Sequence, residues 1–294
     1  MIAAVQQELD LPHDTEWCQR WRERTPTWRR ASEGGFDASA YRVVQVAEAP
    51  AKRFVIKHHY SGSWPAVRLA YALQRVDQPP GPGEPEGGRL VGVVALGIPM
   101  NSAVLDVFPE LRHFRESLEL SRLVLLDECE SNAESWTCAR VFAAAAKIGL
   151  RGIVAHADPV ARTRMTPDGP VLISPGHIGH VYGHAQGFAY LGRTRARRLT
   201  VLPDATVLSD RAASKLRRNE PGHRGVENRL RSLGAPARRA DEPGAAYLSR
   251  ALEAIGATTI AHGGNHKYAR TIGPGRTRIQ LSGTRYPVPA RADT

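Results

Sequence analysis

The stretch Glu119–Ala146, ELSRLVLLDECESNAESWTCARVFAAAA, joins two periodicities across a polar break. Leu120 to Leu126 is a short apolar run rich in branched residues and bounded by acids, the pattern of a buried strand. Beyond Asp127 to Asn132, small and apolar residues recur at Ala133, Trp136, Ala139, Phe142, Ala143 and Ala146, which is helical spacing. Asn132 stands where a side-chain oxygen caps free backbone amides, and Glu134 suits the positive end of the dipole. A strand running through a tight turn into a helix N-terminus presents unpaired N–H groups, a natural seat for a pyrophosphate or another anion. The alternative is an ordinary strand–helix connection with no ligand.

At 294 residues, 42% of them hydrophobic, the chain has enough apolar material for one large domain or a domain with appendages. No run approaches the ~20 apolar residues of a membrane span, and MIAAVQQELDLPHD lacks the basic-then-apolar order of a signal peptide. A cytoplasmic protein, of a bacterium or a host cell, with no membrane partner is expected. Cys18, Cys129 and Cys138 show no CxxC spacing and are expected as free thiols, not as a disulfide framework or a cysteine zinc site. The net charge of +11 is unevenly spread: between Arg193 and Arg239 stand 13 Lys and Arg against four Asp and Glu. Such a concentration serves a polyanion, nucleic acid first, or is a solvated basic face.

Outward from the opening stretch, residues 1–50 read as an arm packing on the core, with Trp17 and Trp21 spaced to share a helical face and DNA contact as the alternative. Arg53 to Ile56 reads as a strand followed by the polar loop Lys57-His58-His59-Tyr60-Ser61-Gly62-Ser63. Trp64 to Leu73 reads as a short helix, Gln78 to Gly88 as a loop, and Leu90 to Leu96 as a second apolar strand. Gly152 to His156 forms another strand, with Asp158 either facing a cleft or capping the turn before Pro159. His177, His180 and His184 are spaced to share one helical face with Tyr182, and Phe188 to Leu191 closes as a strand. Arg198 to Leu202 and Thr206 to Leu208 make a hairpin. Ser209 or Asp210 caps a basic helix over Arg211 to Arg218, and a further helix spans Ala245 to Ile255. His262 to Tyr268 reads as a polar loop and the tail from Gly273 as poorly ordered. This order predicts an α/β (α+β) fold, a central mixed sheet flanked by helices.

Taken in order, KHHYSGS, LVGVVALGIPM, ELSRLVLLDE, NAESW, GHIGHVYGHAQGFAYLGR, SDRAASKLRR, SLGAP and GNHKYA resemble the Mom family of phage DNA-modification proteins, with a GNAT acetyltransferase-like fold, over Phe54 to Tyr268. The resemblance implies a GNAT-like core at 51–200 behind an arm at 1–50, a basic DNA-contacting extension at 201–272 and a tail at 273–294. It implies addition of a carbamoylmethyl (acetamido) group to N6 of adenine in double-stranded DNA, which shields a phage genome from restriction.

The catalytic positions it implies are Tyr60, Ser121, Asp158 and Tyr182, with Asp158 as base or as the group that holds the amine, and Tyr182 as proton donor to a leaving thiolate. An acetyl-CoA or related acyl donor is expected on Asn132, Ala133, Glu134, Ser135 and Trp136, and DNA phosphates on Arg195, Arg197, Lys215, Arg217 and Arg218. Plain acetyl transfer does not give an acetamido group joined through carbon, so a different donor or a redox metal is a further expectation, with iron or zinc on His58 and His59 and with His156, His177, His180 and His184 as other available ligands. No HExxH spacing supports it. Two other functions stay open: N-acetyl transfer to a small amine or protein, and DNA binding without catalysis.

Overall fold

The computed structural model describes residues 17–166, 169–174, 176–179, 181–275 and 279. His180 and most of the expected tail lie outside them. The chain opens with a hairpin, β1 (Trp17–Arg22) and β2 (Thr25–Arg30), then runs through β3 (Tyr41–Val46), α1 (Glu48–His58), β4 (Val67–Arg75), β5 (Arg89–Gly97) and β6 (Ser117–Leu125). α2 (Ala133–Lys147) leads into β7 (Gly152–Ala157). A hairpin of β8 (Arg162–Thr166) and β9 (Gly169–Ser174) precedes a π-helical turn at Val181–Ala185 and β10 (Ala189–Arg193). Next come β11 (Arg197–Val201), β12 (Val207–Leu208), α3 (Asp210–Arg218), α4 (His223–Ser232), α5 (Gly244–Ala254) and β13 (Thr258–His262), and β14 (His266–Thr271) is the last element.

The described residues form two compact units, 17–161 with 174–194 and 265–279, and 162–173 with 195–264. In the first, seven strands make one mixed sheet in the order β10-β14-β7-β6-β5-β4-β3. Every pair is antiparallel except β6 and β7, whose crossover is α2. Two-residue alternation sorts the side chains onto the two faces. Tyr71, Val94, Leu96, Leu118, Leu120, Ile153 and Ala155 pack with Cys138, Val141, Phe142 and Ala145 of α2. Ala70, Ala72, Val91, Val93 and Val124 pack with Ala51, Phe54 and Val55 of α1. Burial of side chains such as Val141 and Phe142 contributes about 1.5–3 kcal/mol each. This is the expected α/β architecture of a mixed sheet flanked by helices.

Several local expectations give way to tertiary context. Phe54-Val55-Ile56, strand-like by composition, lies inside α1, where Ala51, Phe54, Val55 and His58 fall on one buried face. The segment read as a helix from Trp64 is instead β4, paired on both edges, with β3 and β5. Trp17 and Trp21 lie in a strand, not on a helical face. His177 precedes the π-helical turn, so no α-helix aligns it with Tyr182 and His184. The His262–Tyr268 segment is mostly strand, with β14 returning to the large sheet between β10 and β7. Asn132 takes φ 72° and makes no side-chain cap; the tight turn into α2 uses its tolerance of the left-handed region instead.

The second unit has its own apolar centre, in which Leu202, Leu208, Ala213, Leu216, Leu230, Tyr247, Leu248 and Ala251 meet. The sheet β12-β11-β13 is antiparallel, and the expected 198–208 hairpin is its β11–β12 pair. Ser209 caps α3 by accepting from the Ala212 N–H at 3.2 Å.

The β1–β2 hairpin is fastened by a buried guanidinium. Arg20, 0% exposed, donates to the carbonyls of Cys129 (2.9 Å), Gln19 (3.0 Å) and Glu130 (2.6 Å) and to the Glu134 carboxylate. Removing one member of a buried pair strands the other charge. Arg20→Ala is expected to destabilise the fold by about 3–5 kcal/mol in urea unfolding, and adding Glu134→Gln is expected to restore part of the loss.

Candidate active site

β6 and β7 pair only from Ser117–Gly152 to Leu120–Ala155. Beyond that point β6 stays with β5 and β7 with β14, so the sheet forks. At the fork β6 carries a bulge. Ala95 pairs with Arg122 and Leu96 with Leu120, which leaves Ser121 as the extra residue. Bulges re-aim side chains, and this one turns Ser121 and Arg122 at the mouth of the fork. Gly97 lies against it: a Cβ there would stand 2.7 Å from Ser121 Oγ and 2.6 Å from the Ala66 carbonyl oxygen.

Arg122 ties the fork to the loop after α1. Its Nη2 donates to Ser63 Oγ (3.0 Å), its Nε to the Ser63 carbonyl (3.3 Å) and its Nη1 to its neighbour's Ser121 carbonyl (2.6 Å). Burial holds its affinity for a proton below the usual guanidinium range, while Tyr60, Glu119 and Tyr182 lie near enough to act in the opposite sense. Tyr60 itself rests against Trp21 and His59, at ring-centroid distances of 5.2 and 4.2 Å. The hairpin thus supplies the wall behind Tyr60. Its Glu23-Arg24 turn, with φ 47° and 69°, is pinned by the Arg24 N–H on the His58 carbonyl (3.0 Å).

Tyr182 enters from the α2 face of the sheet. It packs against Phe188 and Tyr268, each 5.5 Å away between centroids, under a loop drawn onto β7 by the His177 N–H to Asp158 carbonyl bond (2.7 Å). Gly179, φ 77°, permits this close approach: a Cβ would meet Tyr182, Tyr268 and Ala157 at 2.8–3.0 Å. Burial pushes the Tyr182 phenol well up, with Tyr60 and Glu119 adding to the effect. Tyr182 therefore keeps its proton at neutral pH and is a donor. Tyr60 and Tyr182 are within electrostatic range of each other, Ser121 adjoins Arg122, and Asp158 acts on His177. Asp158 Oδ1 also accepts from the Val160 N–H at 3.0 Å, which closes the turn beyond β7.

A pair that the sequence reading did not join lies beside them. His156 Nδ1 is 2.7 Å from Glu119 Oε1, with side-chain exposures of 16% and 21%. Nδ1–H donating to the carboxylate leaves Nε2 as the acceptor, the arrangement of an oriented general base. The sequence carries no spacing signal for it, because Glu119 and His156 meet only through the β6–β7 register.

His58 and His59 do not form a metal pair. His58 Nδ1 accepts from the Glu23 N–H at 3.3 Å. His59 Nδ1 accepts from the Ser61 N–H at 3.2 Å and lies 2.9 Å from Ser61 Oγ. Among the described residues no three His, Cys, Asp or Glu side chains converge to hold a metal ion. The side chain of His184 is outside them. The residues expected to bind a CoA pyrophosphate are largely engaged as well. Ala133 is buried, Glu134 pairs with Arg20, the Ser135 hydroxyl donates to the Asn132 carbonyl (2.9 Å), and the Trp136 ring carries Arg140 3.5 Å above it.

Of the expected DNA contacts, Arg195, Arg197, Arg217 and Arg218 are exposed and Lys215 is half-buried, all in the second unit. No helix among the described residues is long and apolar enough to cross a membrane.

The site is thus set in a mixed sheet that forks at its single parallel pair. The model of the Mom protein family matches residues 40–231, and the chain belongs to that family. Among solved structures, a tandem GNAT protein from the clavulanic acid biosynthesis pathway, without AcCoA, is similar at 12% identity and a TM-score of 0.31, over 84% of this chain and 81% of that one. No curated protein matches.

Burial lowers the proton affinity of His59, His177 and His266, the last to about 4. Unfolded histidine titrates near ~6.5, so below that pH the unfolded chain binds more protons and stability falls with pH. The melting temperature is expected to drop between pH 7.5 and 5, and His266→Phe is expected to make that drop shallower.

Proposed function

We propose that this chain is a DNA-modifying transferase that adds a carbamoylmethyl group to N6 of adenine in double-stranded DNA. Family membership supports the DNA substrate class, and the observation that carries the reading is the meeting at the fork of an oriented base and a protonated phenol. Adenine N6 is a weak nucleophile because its lone pair is delocalised into the ring. It needs positioning, and it needs a base as the bond to carbon forms.

His156 takes the N6 proton through Nε2, and Glu119 holds its tautomer and stabilises the imidazolium that results. Tyr182 gives a proton to the departing group. Tyr60, backed by Trp21, stacks on the adenine, and Arg122 with Ser121 orients the amide end of the incoming group. Asp158 shapes the loop that carries His177. An acyl-CoA-type donor would supply an activated carbon, but acetyl transfer alone gives N-acetyladenine. The carbamoylmethyl group must arrive on a donor whose bond to the methylene carbon breaks as N6 attacks, the leaving group taking that electron pair and the Tyr182 proton. An enclosed site requires the base to leave the duplex, which costs a few kcal/mol. Contacts of Arg195, Arg197, Lys215, Arg217 and Arg218 with phosphates offset that cost and weaken as salt rises. The product would hide adenine from restriction nucleases.

DNA from cells expressing the chain, digested and examined by mass spectrometry, is expected to contain altered deoxyadenosine. Glu119→Gln and His156→Ala are expected to lower its yield by roughly 10²–10⁴ without changing DNA affinity. Unaltered adenine from the wild-type chain would refute the reading. So would full modification by His156→Ala.

A further inference from the structure

In the second unit, α3 and α4 are joined by four residues, Asn219 to Gly222, and α5 packs against both. Two short helices with a glycine-bearing turn and a bracing third helix make a scaffold that can offer one helix to the major groove of DNA. The exposed side of α4 is unusual in composition. Leu230 is buried and Val226 half-buried, which fixes the inner side. The stripe opposite is Arg224, Asn228 and Arg231, spaced four and three apart, with Gly225 and Ser232 beside it, and all five are exposed. No hydrogen bond or ion pair among the described residues engages the side chains of Arg224, Asn228 or Arg231, whereas Arg238 and Arg250 of the same unit are spent on Glu242. The one acid of α4, Glu227, and Arg231 are both within electrostatic range of Tyr247 on α5, so Arg231 stands at the edge of the stripe and Arg224 and Asn228 at its centre.

Gly225 is the second observation. It sits inside the helix on the open side, where an added Cβ would meet nothing within 4 Å. Packing within the chain does not require it, and glycine is a poor helix former. A glycine there lets another molecule approach the helix backbone closely. The adjoining groove between α3 and α4 carries Arg211, Lys215 and Arg229 around Gly222 and Gly225. Arg211 is paired with Glu220 at 3.1 Å and Arg229 donates to Thr206 Oγ1, so Lys215 is the cation of this groove that suits a backbone phosphate.

We infer that α4 is a sequence-reading helix: Arg224, Asn228 and Arg231 contact base edges in the major groove and set which sequences the protein occupies, while the α3–α4 groove grips the flanking phosphate. Asn pairs bidentately with adenine and Arg with guanine, so the stripe is suited to a site that contains both. The inference rests on DNA being the substrate, as proposed above, but not on the chemistry done to it.

The full-length chain, with no donor present, is offered a pool of random-sequence duplexes, and bound DNA is sequenced over several rounds. The wild type is expected to enrich a short motif. Asn228→Ala and Arg224→Ala are each expected to lose about tenfold discrimination at one position, with melting temperature unchanged. Gly225→Ala is expected to raise the melting temperature and yet weaken binding to the selected motif. Lys215→Ala is expected to weaken all duplexes alike and to reduce the salt dependence by about one phosphate. A wild type that enriches no motif, or a motif unmoved by both stripe variants, overturns the inference. Because binding is read without modification, enrichment that follows Asn228 would stand even if cellular adenine proved unaltered.

Discussion

The parting of β6 from β7 after Leu120 and Ala155 is the constraint on which the rest depends. A continuous sheet is a barrier: side chains of one face cannot meet those of the other. Where the two central strands separate, Tyr182 from the α2 side comes within electrostatic reach of Tyr60, Glu119 and Arg122. The bulge at Ser121 and the glycine opposite it belong to the same device, since the extra residue changes the direction of β6 just where its partner leaves.

The electrostatics of this region follow from enclosure. Burial lowers the proton affinity of His59 and His177; Arg122 adds to the effect on His59, and Asp158 opposes it at His177. Arg122 is held by loop carbonyls and a hydroxyl rather than by a carboxylate. A cation held mainly by neutral acceptors retains attraction for an incoming electron-rich group, which a tight ion pair would cancel. The contrast is Arg20, equally enclosed but neutralised by Glu134, whose work is to hold the hairpin down. Two arginines, similar on paper, are separated by their partners, one paired with a carboxylate and the other with neutral acceptors.

The sequence displayed the elements whose packing follows from their own periodicity. β6, α2, β5, β7 and α3 are legible because each has an apolar run or stripe of its natural length. α1 and β4 were exchanged in the reading, because Phe54-Val55-Ile56 resembles a strand and Trp64-Pro65 resembles a helix start. Only the neighbours on either edge of β4 settle the matter. α4 went unread because HRGVENRLRS has two apolar residues, Val226 and Leu230, spaced by a single turn. Tyr60, Ser121, Asp158 and Tyr182 were found through motif resemblance. The Glu119–His156 pair was not, since it is created by strand register, which local patterns leave open.

The second unit's long segment, 195–264, departs from the end of β10 and returns at the start of β14, and those strands are neighbours in the sheet. The doorway is a clasp of two residues: the Thr194 N–H donates to the Asn265 carbonyl at 2.8 Å, and the Asn265 N–H to Thr194 Oγ1 at 2.9 Å. Seventy residues are thus inserted where a hairpin bend would serve. The long segment is entered and left through this one stitched gap, while the unit's short segment, 162–173, lies between β7 and β10 in the chain. Two crossings held this close let seventy residues leave and rejoin the sheet without parting β10 from β14.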